Sequence, residues 1–120
     1  MFRRITRENW QMYAIKNYDV PNLDSEQEFY EDIKRFKYLK RLFRKYKATG
    51  ELKTRLIINH IIVLQNVFGV EAACTLLFFR IEKEYWSLLK TFLVYLNYVQ
   101  EYELNDIKID HSLLKNLEKL

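Results

Sequence analysis

The sequence predicts an all-α protein, a compact bundle of five to six helices around a central apolar helix. Three observations carry this. The 120 residues include two glycines and one proline, whereas a sandwich or barrel needs turn residues roughly every 8–12 positions. Apolar residues recur at steps of three and four over long stretches, the period of a helix with one buried stripe. The glycines, the proline and several short polar residues stand where helix ends belong. The length corresponds to a single helical domain over residues 1–120. A chain this long buries roughly two thirds of its unfolded surface, so it needs no disulfide or metal to fold. Nine Tyr, eight Phe and two Trp supply the bulk of a dense core.

The first predicted helix is TRENWQMYAIKNY, residues 6–18. Thr6 is its N-cap, because a side-chain oxygen there accepts from a free backbone N–H. Pro21 ends the segment, since proline disfavours helix in the residue before it. The second helix opens at Ser25 and Glu28, which have capping-box spacing. Phe29, Ile33, Phe36, Leu39, Phe43 and Tyr46 then fall on one stripe, and Gly50 fits the left-handed residue that ends such a helix.

The third helix, ELKTRLIINHIIVLQNVF, is apolar almost all the way round, which marks it as the central element. Gly69 follows it in a C-terminal capping position. From Val70 to Tyr102 there is no glycine or proline, and Leu77, Ile81, Tyr85, Leu88, Phe92, Tyr95, Val99 and Tyr102 keep helical spacing. One uninterrupted helix over this stretch would run ~48 Å, long for so small a domain, so a break is expected near Glu82 to Ser87. A loop then leads to a last helix, HSLLKNLEKL, with Asp110 as N-cap.

Most chemistry finds no motif here. Cys74 is the single cysteine and reads as a small buried hydrophobe. One cysteine cannot form an internal bridge, and no charged-then-apolar leader opens the chain, so a cytoplasmic, soluble protein is expected. The longest uncharged stretch, Leu56 to Val70, contains Asn59, His60, Gln65 and Asn66. It falls short of the ~20 apolar residues of a spanning helix, and no membrane partner is expected. No glycine-rich phosphate loop is present. Asp106, Asp110 and His111 lack a second His or a Cys, so no metal site and no cofactor are expected. Glu28/Asp32 and Glu82/Glu84 are carboxylate pairs of a kind common on wet helix faces, without a convergent nucleophile. An enzyme is not expected. NVFGVEAA echoes a helix-turn-helix corner, but the helix that follows offers only Thr75 and Arg80 to base edges. Asn59 and His60 read as hydrogen-bonded residues at the edge of the core. Trp10 and Trp86 are candidate stacking platforms, though aromatics at helical spacing serve cores more often.

One surface stands out. Residues 34–47, KRFKYLKRLFRKYK, carry eight cations and no acid, while the whole chain carries +4. The rest of the chain is therefore −4 (12 Lys and Arg against 16 Asp and Glu). On a helical wheel with Phe36 at zero, Lys34, Lys37, Arg41, Arg44 and Lys45 fall between about 80° and 180°. They form one basic face over three turns, ~16 Å, with Tyr38 at its edge. Such a face on a mildly acidic body suits phosphate binding. Two other readings stay open. In one the cations are simply solvated: acids first and bases last complements the helix dipole, Glu31 and Arg35 have favourable i,i+4 spacing, and Glu82, Glu84, Glu101 and Glu103 can neutralise cations. A partner protein with an acidic face is the other reading.

The run EFYEDIKRFKYLKRLFRKY, followed by GELKTRLIINHIIVLQNVFGVEAA and WSLLKTFLVYLNY, resembles a family of small proteins of unknown function. They are encoded by tailed bacteriophages of marine bacteria, cyanophages among them. The likeness covers roughly residues 8–98. It implies a setting, the cytoplasm of an infected bacterium, and no activity, substrate or site residue. Abundant Lys, Asn, Ile, Tyr and Phe with little Ala and Gly indicate AT-rich coding, which suits that setting and accounts for some of the Lys and Tyr without any selection for binding. The expected role is a non-enzymatic accessory protein that binds a macromolecule through the basic face, nucleic acid first. The alternative is a protein–protein adaptor or assembly factor that uses an exposed aromatic patch, with Tyr95, Tyr98 and Tyr102 as contributors, or a homo-oligomer interface.

Overall fold

The computed structural model describes the backbone of residues 23–120 and the side chains of residues 34–120. The predicted helix at 6–18, with Thr6, Trp10 and Pro21, lies outside the described residues. Five α-helices follow in order: α1 Leu23–Thr49, α2 Thr54–Phe68, α3 Val70–Arg80, α4 Trp86–Tyr95 and α5 His111–Glu118. A single 3-10 turn, Lys83–Tyr85, separates α3 from α4. The described residues include no strand, and the fold is all-α as expected.

The α1 backbone is helical from Leu23. Ser25 therefore lies within helical backbone and is not the N-cap residue. At the other end Gly50 takes φ +76° and donates to the Tyr46 carbonyl at 2.7 Å. Of the expected apolar stripe, Phe36, Leu39 and Phe43 are buried, and Tyr46 is half-buried. Phe43 locks α1 to the 3-10 turn and to α4. Its ring stacks on Tyr85 at 5.6 Å and meets Phe92 edge-on at 6.3 Å.

The α2 helix buries Ile57, Ile61, Leu64 and Phe68, one stripe only. Its outer side carries exposed Arg55, Leu56, Asn59 and Asn66. The helix enclosed on most sides is instead α3, where every residue from Ala72 to Phe78 is buried. The reason lies in side-chain size. The small AAC run lets neighbouring helices close in, whereas the polar residues of α2 must keep one face in water. Gly69 joins the two helices at φ +85°, a conformation that side-chain-bearing residues rarely adopt.

The expected break is present. Ile81 and Glu82 are extended, and the Trp86 indole donates to the Ile81 carbonyl at 2.9 Å across the bend. The helix that follows stops at Tyr95, well short of Tyr102. Asn97 takes φ +63°, its N–H bonds to the Val94 carbonyl, and the Tyr98 N–H bonds to the Leu93 carbonyl. These two bonds are the Schellman pattern, with Asn97 in the place usually held by glycine.

The return segment to α5 is then held by three side chains from about one turn of α4. The Ser87 hydroxyl donates to the Lys108 carbonyl at 2.7 Å. The Thr91 hydroxyl accepts from the Asp110 N–H at 2.9 Å. The ammonium of Lys90, a residue only 2% exposed, donates to the carbonyls of Glu101, Leu104 and Ile107 at 3.0, 3.0 and 2.9 Å. Its three N–H groups thus meet three acceptors. Asp110 caps α5 by accepting from the Leu113 N–H at 3.0 Å, as expected. Buried residues from all five helices form one cluster.

Candidate nucleic-acid interface

The basic face survives folding, but its cations divide into two groups. Lys34, Lys37, Arg41, Arg44 and Lys45 are all exposed on α1. Toward the C-terminal end of the face the cations meet acids. Arg44 binds Glu82, with its Nε 2.8 Å from the carboxylate and a second bond from the other guanidinium nitrogen. Lys47, one turn further along α1, reaches Glu84 at 2.6 Å. Lys45 approaches Glu51 at 3.9 Å. Hydrogen bonding and then charge from Glu82 raise the Arg44 pKa above its ordinary value, and Glu84 does the same for Lys47. Both acids stand at the bend between α3 and α4, so the bend brings carboxylates to this end of α1. Glu82 and Glu84 are therefore ion-pair partners of cations on α1. Glu28 and Asp32 have side chains outside the described residues.

The middle of the face is different. Among the described residues, Lys37 and Arg41 make no ion pair with a carboxylate. Between them stands Tyr38, 47% exposed. Its ring stacks against His60 of α2, with centroids 5.9 Å apart, and the Arg41 guanidinium carbon lies 6.0 Å from the same ring. His60 is half-buried and is held from behind by Arg35, whose NH1 lies 3.3 Å from Nδ1. A guanidinium can only donate, so Nδ1 accepts and the ring proton sits on Nε2. Burial, and secondarily the charge of Arg35, lowers the His60 pKa from its ordinary 6.5. His60 is thus neutral near pH 7.

Tyr38, Arg41, Leu42, Leu56 and His60 together line a groove of about 390 Å³ between α1 and α2, and the surface it offers is apolar. Leu56 is 43% exposed there. The sequence identified Tyr38 as the edge of the basic face but not Leu56 or His60 as its neighbours. That juxtaposition depends on how α1 packs on α2, which no local sequence pattern marks.

The other candidates resolve into structural roles. The helix after the Gly69 corner is buried from Ala72 to Phe78, and Thr75 bonds back to the Glu71 carbonyl, so α3 cannot lie in a DNA groove. Asn59 is exposed and does not act with His60 as a buried pair. Trp86 is half-buried, meets Phe78 edge-on at 5.7 Å, and its indole N–H is taken by Ile81. Asp110 is a helix cap, and no cluster of three or more His, Cys, Asp or Glu suited to a metal ion occurs among the described residues. Cys74 is buried. Tyr95 and Tyr98 pack against the core, leaving Tyr102 as the exposed member of that trio. Among the described residues no helix is long and apolar enough to cross a membrane.

No curated protein and no solved structure matches the chain. A family of unknown function, DUF7207, matches it over residues 1–120. The chain belongs to that family.

Proposed function

We propose that this DUF7207 member is a non-enzymatic accessory protein, of the kind tailed phages encode, that binds nucleic acid through the basic face of α1. The face comprises Lys34, Lys37, Arg41, Arg44 and Lys45. The observation that carries the reading is the stretch Lys37–Tyr38–Arg41, two exposed cations without a carboxylate partner among the described residues, set around an exposed aromatic ring. Cations already tied to Glu82 and Glu84 add less to binding, because a phosphate must compete with the resident carboxylate. Lys37 and Arg41 face no such competition among the described residues, so they contribute most of the phosphate contact.

The test is fluorescence anisotropy with labelled DNA and RNA at low and physiological salt, using the unaltered chain and the double variant Lys37→Glu, Arg41→Glu. Salt-sensitive binding that disappears in the double variant supports the reading. Equal binding by both proteins, or no binding at low salt, rules it out.

A second reading, a protein–protein adaptor or a homo-oligomer interface, is favoured by Tyr102, which is 78% exposed. It calls for a dimer or a heteromeric complex in solution that Tyr102→Ser weakens.

A further inference from the structure

We infer that the groove between α1 and α2 holds one unpaired base of a single strand, stacked on Tyr38, so that the preferred ligand is single-stranded nucleic acid. This rests on the nucleic-acid reading of the basic face and specifies which form that face takes.

The chemistry of the site combines two features that a strand needs together. The groove surface is apolar and walled by Tyr38, Leu42 and Leu56. Lys37 and Arg41 stand beside it on the same helix face. In a single strand, apolar base faces alternate with charged phosphates, and both kinds of surface are available to one protein patch. Base–aromatic stacking with a tracking basic surface is the usual way of binding such strands without sequence preference. The groove, at about 390 Å³, falls within the ~300–1,000 Å³ range of small-molecule clefts.

Tyr38 is positioned for this role. His60 packs against its ring, and Arg41 lies near it. Nearly half of the residue nevertheless stays open to solvent. A duplex uses the site poorly, because its bases are stacked on one another and present only edges in the grooves. A surface that works by charge alone shows the opposite preference. Duplex DNA carries a charge about every 1.7 Å against about 3.4 Å for one strand, so it attracts a basic helix at least as strongly. The ratio of single-strand to duplex affinity therefore separates stacking from simple attraction.

The experiment uses the full chain and labelled probes of equal length: a dT oligonucleotide, an abasic strand with the same phosphates, a duplex, and an oligoglutamate peptide. Tyr38→Leu and Tyr38→Phe are compared with the unaltered chain, their helicity checked by circular dichroism. The expected result is that dT binds about tenfold or more tighter than the abasic strand and the duplex. Tyr38→Leu should abolish that preference and leave weak, salt-sensitive binding, while Tyr38→Phe retains it. If the abasic strand and duplex bind as well as dT, or Tyr38→Leu changes nothing, the base site is wrong and the basic-face reading stands. If no nucleic acid binds at low salt, both fall, and binding of the oligoglutamate would then mark the face as a dock for acidic protein.

Discussion

Tyr38 of α1 and His60 of α2 stack with ring centroids 5.9 Å apart and planes tilted by 27°. The contact joins the basic helix to its neighbour at the edge of the groove. The Arg35 bond to the same imidazole requires it neutral, since Arg35 directs its guanidinium at Nδ1 from 3.3 Å and a protonated ring would have no lone pair to offer it.

That arrangement makes stability depend on pH. Burial first, and the Arg35 charge second, lower the folded His60 pKa below 6.5. Between the two values the unfolded chain binds a proton that the folded chain refuses, so stability rises with pH in that window. The stabilising contribution is complete above 6.5 and is lost as pH falls from 6.5 through the folded value. Melting curves at pH 7.5, 6.5 and 5.5 should show a smaller fall in Tm for His60→Gln than for the unaltered chain. Parallel falls in the two proteins would remove His60 as the source.

Lys90 is the keystone of the segment between α4 and α5. Lys90→Met keeps the apolar stem but strips three carbonyls of their shared donor. An unsatisfied buried acceptor costs about 1–3 kcal/mol, and water can reach some of this loop, so a loss of about 3 kcal/mol is expected in denaturant unfolding. Amide exchange should quicken chiefly over residues 97–110. A loss below about 0.5 kcal/mol would mean that the loop holds without the ammonium.

Asp110 caps α5 through the Leu113 N–H. Asp110→Ala should cost about 1 kcal/mol, and Asp110→Ser should recover most of it. Urea unfolding of the three proteins measures both differences. If Asp110→Ser is as unstable as Asp110→Ala, the side-chain cap is not what holds this turn.

Cys74 should be inert in the folded protein. Burial, with a smaller effect from Glu103, pushes its thiol pKa up to about 12, so almost no thiolate exists at neutral pH and reagents cannot reach the sulfur. Ellman's reagent should label the native chain only at the rate of unfolding and label the urea-unfolded chain at once. Rapid native labelling would place Cys74 at a surface.

Legibility in the sequence followed how local each cause was. Gly50, Gly69 and Asp110 each end or begin a helix through one residue's own conformation or side chain, and each lies where the pattern put it. Asn97 does the same work without a comparable mark in the sequence. Asparagine is also tolerated inside helices, and its role emerges only with the Tyr98 bond to Leu93. A lone lysine in WSLLKTFLVY reads as a surface residue. Its burial depends on carbonyls 11, 14 and 17 residues away, although Ser87, Lys90 and Thr91 do form a polar stripe on an otherwise apolar helix. Glu82 and Glu84 were recognisable as neutralising acids. Which cations they meet is set by the bend at Ile81–Tyr85, a tertiary feature. The groove is the least legible part, because Leu56 and His60 come to Tyr38 only through the packing of α2 on α1.

The most direct test of the basic face is the dependence of affinity on salt for a labelled single strand. Each phosphate neutralised contributes about −0.7 to the slope of log K against log salt. Three to five contacts then give a slope between about −2 and −3.5, and Lys37→Gln with Arg41→Gln should make it shallower by about 1.4. That result would establish the middle of α1 as the phosphate contact. An unchanged slope in the double variant, or no binding at the lowest salt, would contradict it.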